Sequence, residues 1–247
     1  MDNGFYYLYA GIWRILARWS AIATGGSANE QVTFRKLLDK AQPTGVSLTL
    51  QPKIITFSSM GKFHDSIKPA HKDFIEKQHI FFVSSAPLSA SGRVNLSPKG
   101  LDAFRVLSES KVGYMDLISS GNETSAHTLE NGRITFMFCS FDETPLILRL
   151  YGKGCAVLPN SDEWEQYAPH FRTYSSTRQL IVADIDLVQT SCGFGVPLYD
   201  YAGERDIHFR WAEKKGKQGL SDYIDENNLI SLDGLPTDLG LNRQPVK

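Results

Sequence analysis

The fold of this chain is decided by residues 89–151, which read SASGRVNLSPKGLDAFRVLSESKVGYMDLISSGNETSAHTLENGRITFMFCSFDETPLILRLY. Apolar and polar residues alternate in several short runs, and clusters rich in Ser, Gly, Asp and Pro separate these runs. This alternation predicts antiparallel strands, interrupted by one short helix that opens at the small polar residues SSGNET. The stretch therefore predicts a mainly β domain of the α+β class with peripheral helices.

The flanking sequence extends the same pattern. Pro69 predicts a helix over residues 69–78, and the apolar run that follows predicts a buried strand over residues 79–85. Pro98-Lys99-Gly100 is expected to end the next strand as a turn. Many short strands with regular turns are typical of a closed or partly closed antiparallel barrel. Further strands are predicted over residues 93–97, 103–107, 111–118, 133–141, 146–158 and 178–191, and further helices over 123–129, from Glu163, and over 204–227 with a break at 216–219.

The composition is that of an ordinary globular protein, and the charge balance limits which classes of partner are expected. Apolar residues make up 42% of the 247 residues, and the formal net charge is -1. This balance predicts no nucleic acid or anionic membrane as partner, so any positive field must be local. The three cysteines, at positions 139, 155 and 192, are odd in number and lack metal-ligand spacing. We therefore expect no metal site and a reducing, intracellular compartment.

Two features of the deciding stretch are suited to hold a phosphorylated, planar cofactor. Arg93 and Lys99 flank a Ser-Pro turn, where a guanidinium and an ammonium can both bind phosphate. At SSGNET, free backbone amides and the positive end of the helix dipole attract an anion. From the residues alone, two solvated loop cations and a simple helix cap at Ser120 or Asn122 explain the same pattern.

Three segments, in order, resemble the flavin-binding core of the pyridoxamine 5'-phosphate oxidase-like split barrels. They are GRVNLSPKG, YMDLISSGNETSAHTLENGRITFMF and PLILRLYGKG, and the likeness covers residues 63–192. Asn131-Gly132-Arg133-Ile134 and Arg149-Leu150-Tyr151-Gly152 take the places of two further motifs of that family. The resemblance implies a six-stranded antiparallel split β-barrel that binds FMN at a homodimer interface.

The resemblance also implies which residues hold the cofactor. The helix start departs from the family pattern, because Asn-Glu-Thr replaces Ser-Arg-Lys and removes cationic donors. Arg205, His208 and Arg210 are similar to the Arg-x-His of the pyridoxamine oxidases, but their charged context predicts a solvated helix face. True pyridoxamine phosphate oxidase activity is therefore not expected, and no catalytic residue is nominated. The implied FMN-binding residues are Arg93, Asn95, Ser97, Lys99, Ser120, Asn122, Thr124 and His127.

Three functions follow as hypotheses. The first is an FMN-dependent oxidoreductase with an unknown small-molecule substrate and a nicotinamide reductant, in which the cofactor performs the redox chemistry. The second is a non-catalytic flavin- or haem-binding carrier or sensor. The third is an interaction domain whose pocket stays empty.

The domain boundaries follow from the same stretches. Residues 1–59 are predicted to form an N-terminal extension, either unstructured or a mitochondrial transit peptide, since this segment is Arg-bearing and poor in acids. Residues 60–192 form the predicted barrel, and residues 193–247 a C-terminal helical and loop extension. We expect a cytoplasmic protein, or a mitochondrial one if the first segment is a transit peptide.

Overall fold

An antiparallel sheet of eight strands dominates the residues that this computed structural model describes, 61–159 and 161–243. These residues belong to one compact unit, Phe57–Lys247. The extension predicted over residues 1–59 lies outside them. The strands are β1 (Lys62–His64), β2 (Phe81–Ser85), β3 (Asn95–Lys99), β4 (Phe104–Val106), β5 (Lys111–Leu117), β6 (Arg133–Cys139), β7 (Ile147–Val157) and β8 (Thr177–Ser191).

Helices surround this sheet and begin and end at local sequence signals. Gly132 ends the second helix in the left-handed conformation, with φ of 74°. Gly216, with φ of 64°, interrupts the fourth helix inside the predicted break. None of the described helices is long and apolar enough to cross a membrane. The helices are α1 (Pro69–Ile75), α2 (Glu123–Asn131), α3 (Asp162–Tyr167), α4 (Ile207–Asn227) and α5 (Asp238–Asn242), and a 3-10 turn spans Ala168–His170.

The strand order is β3-β2-β6-β7-β8-β5-β4, with β1 also paired to β8, and every pair is antiparallel. The prediction of a mainly β, antiparallel fold is thus confirmed, but the implied count of six strands is wrong. The 15-residue β8 is long enough to pair along one edge with β5 and then with β1. Two three-residue strands, β1 and β4, extend the sheet beyond six.

The inner face of the sheet forms the hydrophobic core. Val83, Phe136, Leu150 and Val188 are register partners across β2, β6, β7 and β8, and each is fully buried. The Phe81 ring on β2 lies 5.0 Å from the Phe104 ring on β4, although these strands lie near opposite ends of the strand order. The sheet therefore curls into a half-barrel whose ends approach each other.

Strand β3 has the predicted length but lies two residues further along the chain, at 95–99 instead of 93–97, and this shift shapes the candidate site. Pro98 does not end the strand but lies within it, opposite Phe82. Proline is tolerated because β3 is the edge of the sheet, where one side of the strand needs no hydrogen-bond partner. The shift places Lys99 in the strand, on the same face as Asn95 and Ser97.

Candidate functional site

A row of polar side chains on β3 meets the start of α2. The Asn95 Nδ2 atom donates to Thr124 Oγ1 at 3.1 Å and to Ser85 Oγ at 3.3 Å. The Ser97 hydroxyl donates to Asn95 Oδ1 at 3.0 Å. These contacts bring together three of the predicted residues, Asn95, Ser97 and Thr124, between β3 and the start of α2.

His127 lies beside this row with one unpaired ring nitrogen. Its Nδ1 atom is 3.0 Å from the Ser85 hydroxyl, and the residue is 1% exposed. Its Nε2 atom has no hydrogen-bond partner in the described part of the chain. Burial lowers the pKa of His127, which favours the neutral ring. A buried nitrogen without a partner is costly, so this atom is a ready donor or acceptor for a bound ligand.

Lys99 belongs to a buried ionic network centred on Asp116. The Lys99 Nζ atom lies 2.9 Å from Asp116 Oδ1, and Arg178 Nε and Gln179 Nε2 each lie 2.8 Å from Oδ2. Burial opposes ionisation of Asp116, but the Arg178 guanidinium and the Lys99 ammonium outweigh it and hold the pKa of that carboxyl far below its usual range. Asp116 is therefore an anion that orients Lys99.

Asn122 lies at the N-cap position of α2, as one alternative predicted, yet its side chain makes no capping hydrogen bond. Its Oδ1 atom accepts from Gln179 Nε2 at 2.7 Å, and its Nδ2 atom donates to the backbone oxygen of Asn228 at 3.2 Å. Ser120, the other candidate cap, is exposed two residues earlier. The helix start is therefore tied to the Asp116 network through Gln179.

Arg93 points to a different partner. Its backbone N donates to Asp233 Oδ2 at 2.6 Å, and its guanidinium forms an ion pair with the same carboxylate. Asp233 lies between α4 and α5, in the C-terminal extension. The eight predicted binding residues thus fall into the polar row, the Asp116 network, the Arg93 pair and exposed Ser120.

An aromatic cavity of about 990 Å³ opens next to Lys99. The His79 and Tyr201 rings in its wall are stacked 3.6 Å apart and nearly parallel, at 5°. Arg205 and His208 also line this cavity. Arg205 and Arg210 are exposed, as predicted, whereas His208 is half-buried and its Nε2 atom lies 3.1 Å from the Ser176 hydroxyl. Cavities of this size with aromatic walls are typical of small-molecule and cofactor sites. Other aromatic lining residues are Phe82, Phe141 and Tyr199.

Metal chemistry finds no support in the described residues, which contain no group of three His, Cys, Asp or Glu side chains placed to hold an ion. Arg149, the first residue of the Arg149-Leu150-Tyr151-Gly152 motif, donates to Ser191 Oγ at 3.1 Å. The site therefore offers hydroxyl, amide, imidazole and cationic groups, which suit an organic anion.

The sequence matches known proteins over most of the described residues. Residues 67–192 match the family model described as Pyridoxamine 5'-phosphate oxidase. The Pyridoxamine 5'-phosphate oxidase family protein ustO of Aspergillus flavus is 41% identical over 191 residues, which cover 70% of this chain and 76% of that protein.

Solved structures align over about half of the chain. A putative pyridoxamine 5'-phosphate oxidase from Lactobacillus delbrueckii is 11% identical with a TM-score of 0.42, covering 53% of this chain and 98% of that one. HupZ from Group A Streptococcus is 18% identical with a TM-score of 0.39, covering 49% of this chain and 91% of that one. The family model and the Aspergillus relative show that the chain belongs to the pyridoxamine 5'-phosphate oxidase family.

Proposed function

We propose that this protein binds FMN and is an oxidoreductase that acts on a small-molecule substrate. The observation that carries the proposal is the junction at Lys99. This residue lines the aromatic cavity and, through its ion pair with Asp116, also joins the polar network that reaches the start of α2. A phosphorylated planar cofactor needs a polar end and a flat apolar slot, and both meet here.

The residues present fit such a cofactor. Arg93 and the hydroxyl and amide groups of Asn95, Ser97 and Thr124 would hold the phosphate, and the unpaired Nε2 of His127 offers one further hydrogen bond. The aromatic walls of the cavity would hold a planar ring and exclude water. FMN, when bound, supplies redox chemistry that no side chain can perform, so the chain's own task is binding, orientation and electrostatics.

The proposal includes a homodimer. Apolar side chains stay exposed on two strands, Leu96 of β3 at 63% and Phe63 of β1 at 63%, and Val94 directly before β3 is 69% exposed. An exposed apolar face of this kind is suited to association with a second copy of the chain.

The first test is the visible absorption spectrum of the purified protein, followed by identification of the chromophore that heat releases. We expect a flavin spectrum and released FMN. A colourless protein that also takes up no added FMN would overturn the proposal, and a Soret band would assign haem instead.

Arg93→Ala tests the phosphate contact. Loss of a charge-assisted donor is expected to weaken FMN binding about ten-fold or more. Arg105→Ala is the matched control, because Arg105 pairs with Asp102 on the surface and does not line the polar row. Equal FMN affinity in both variants would remove Arg93 from the site.

Reduction and reoxidation of the bound flavin distinguish an oxidoreductase from a non-catalytic carrier or sensor. Under anaerobic conditions, addition of NADH or NADPH is expected to bleach the flavin absorbance, and admission of an electron acceptor is expected to restore it. A flavin that stays oxidised with both nicotinamides would exclude the nicotinamide-dependent oxidoreductase and favour the carrier.

A further inference from the structure

A short loop in the C-terminal segment, residues 229–236, is closed at its base; we name it the acidic loop. Its flanking residues Asn228 and Thr237 are both fully buried. The Thr237 hydroxyl donates to the backbone oxygen of Asn228 at 2.8 Å and so joins the two ends. Inside the loop, Ile230 pairs with Pro236. The base is therefore fixed independently of what the tip contacts.

The tip of the acidic loop is a preformed turn that presents Asp233. The Gly234 amide donates to the Ser231 oxygen at 2.9 Å, and the Leu235 amide donates to the Ser231 hydroxyl at 3.0 Å. Gly234 takes a φ of 82°, a conformation that glycine adopts without strain. These contacts hold the Asp233 side chain outward from the turn without help from the barrel.

The Asp233 carboxylate lies at the position where Arg93 would bind a phosphate group. One carboxylate oxygen accepts the Arg93 backbone N–H at 2.6 Å, and the other pairs with the guanidinium. A backbone amide together with a guanidinium is also the donor set that binds a phosphate oxygen pair. The backbone hydrogen bond from Arg93 lowers the pKa of Asp233, so the carboxylate is ionised at neutral pH. The Asp233 side chain is only 15% exposed, whereas that of Arg93 is 68% exposed.

The remaining attachment of the tip is slight. Leu232 is 72% exposed and Ile230 is 61% exposed, so neither side chain anchors the loop by burial. Beyond Arg93, the tip contacts the barrel through the Leu232 amide, which donates to the Glu123 carboxylate at 3.1 Å. Exposed polar contacts of this kind are weak and exchange readily with water. The tip can therefore leave Arg93 while the base stays closed.

We propose that the acidic loop is an internal competitor: Asp233 occupies the place at Arg93 that the phosphate of FMN takes, and phosphate binding displaces the loop tip. The inference rests on the proposed function, because it takes Arg93 as the phosphate contact. A phosphorylated ligand must first displace Asp233, and the free-energy cost of this step lowers its apparent affinity. An uncharged analogue does not displace Asp233, so its affinity is unaffected. The loop therefore adjusts how tightly the phosphorylated cofactor is held.

The test uses the full chain, freed of cofactor, and compares FMN with riboflavin, which has the same ring without the phosphate. Asp233→Asn is expected to tighten FMN binding about ten-fold, because the guanidinium no longer has a charged internal partner. Riboflavin affinity is expected to stay the same. Asp184→Asn is the matched control, since it also removes one carboxylate from an ion pair, on the exposed edge at Lys111.

A measurement on the unaltered chain does not depend on how the variant folds. Amide hydrogen exchange over residues 230–236 is expected to accelerate when FMN or inorganic phosphate is added, but not when riboflavin is added. Two results would overturn the proposed competition. One is amide exchange in the acidic loop that stays the same or slows when FMN binds. The other is an FMN affinity in Asp233→Asn no tighter than in the unaltered chain.

The two proposals fail in distinguishable ways. If inorganic phosphate accelerates exchange in the acidic loop while FMN does not bind, the proposed function fails and the internal competitor stands with another phosphorylated ligand. If FMN binds and the loop does not respond, the function stands and the competitor fails. No response to either ligand overturns both.

Discussion

Asp116 is one carboxylate on which three donors converge, and its burial makes the arrangement sensitive to a single substitution. The residue is 1% exposed, and the Arg178 side chain that pairs with it is 3% exposed. Taking these charges out of water is costly, and the cost is offset only while all partners are present. The intact network therefore adds little to the free energy of unfolding, but loss of one member is expected to lower that free energy strongly.

Asp116→Asn is expected to lower the free energy of unfolding by about 3–5 kcal/mol, because it leaves the Arg178 guanidinium buried without a counter-charge. Equilibrium denaturation in urea measures the change. Asp184→Asn is the control, since the Lys111–Asp184 pair has a carboxylate that is 71% exposed, and such a pair is worth about 1 kcal/mol or less. Equal losses in the two variants would show that the buried network has no special role.

The same carboxylate gives an acid dependence with a defined sign. The pKa of Asp116 in the fold lies far below the value of 3.8 expected for an unfolded aspartate. Its stabilising contribution is therefore fully present above that unfolded value and is lost as the pH falls toward the folded pKa. The stability difference between the unaltered chain and Asp116→Asn is expected to be constant near neutrality and to shrink below about pH 4. A difference that grew in acid would contradict this assignment.

The pairing of β7 with β8 explains why the Arg149-Leu150-Tyr151-Gly152 motif ends in glycine. The register between these strands shifts between Tyr151 and Gly152, which makes a bulge. A Cβ atom on Gly152 would lie 1.9 Å from the Asp184 backbone oxygen, so only glycine fits. The glycine of Arg149-Leu150-Tyr151-Gly152 thus serves the close approach of two strands, and it need not touch a ligand.

Gly152→Ala is expected to destabilise the protein by about 2–3 kcal/mol, because the added methyl group must push two paired backbones apart. Thermal unfolding monitored by circular dichroism measures the shift. Gly195→Ala tests the same exchange where a Cβ would meet nothing within 4 Å. A neutral Gly152→Ala would show that the bulge relaxes easily.

The helices and strands could be predicted from residues close together in the sequence. Contacts between residues far apart in the sequence could not. Pro69, Gly132 and Gly216 each act on their own turn of chain, so the ends and breaks of helices could be predicted from the sequence. Asp116 meets Arg178 across 62 positions and Arg93 meets Asp233 across 140. No periodicity encodes such separations, which is why the partners of Asp116 and Asp233 could not be predicted from the sequence.

Across the whole molecule, the two faces of the sheet differ in what covers them. The inner face is filled by the core, whereas the outer face carries a row of register partners that runs across five strands. Leu96 and Leu187, at the two ends of this row, are 63% and 36% exposed. The middle of the row is half-buried and mixed in polarity, as in interfaces that form between folded subunits. The other members of the row are Ser84, Thr135 and Tyr151.

Leu96→Asp is therefore expected to convert a homodimer into monomers. In the proposed dimer, a charge at this apolar end of the row would be buried without a partner, and a standard interface of about 800 Å² per subunit cannot absorb that cost. Sedimentation velocity at several protein concentrations measures the change. Leu241→Asp is the control, because Leu241 on α5 is 64% exposed and is not a member of this row. A monomeric unaltered chain, or a dimer that persists in Leu96→Asp, would show that the outer face of the sheet is not the interface.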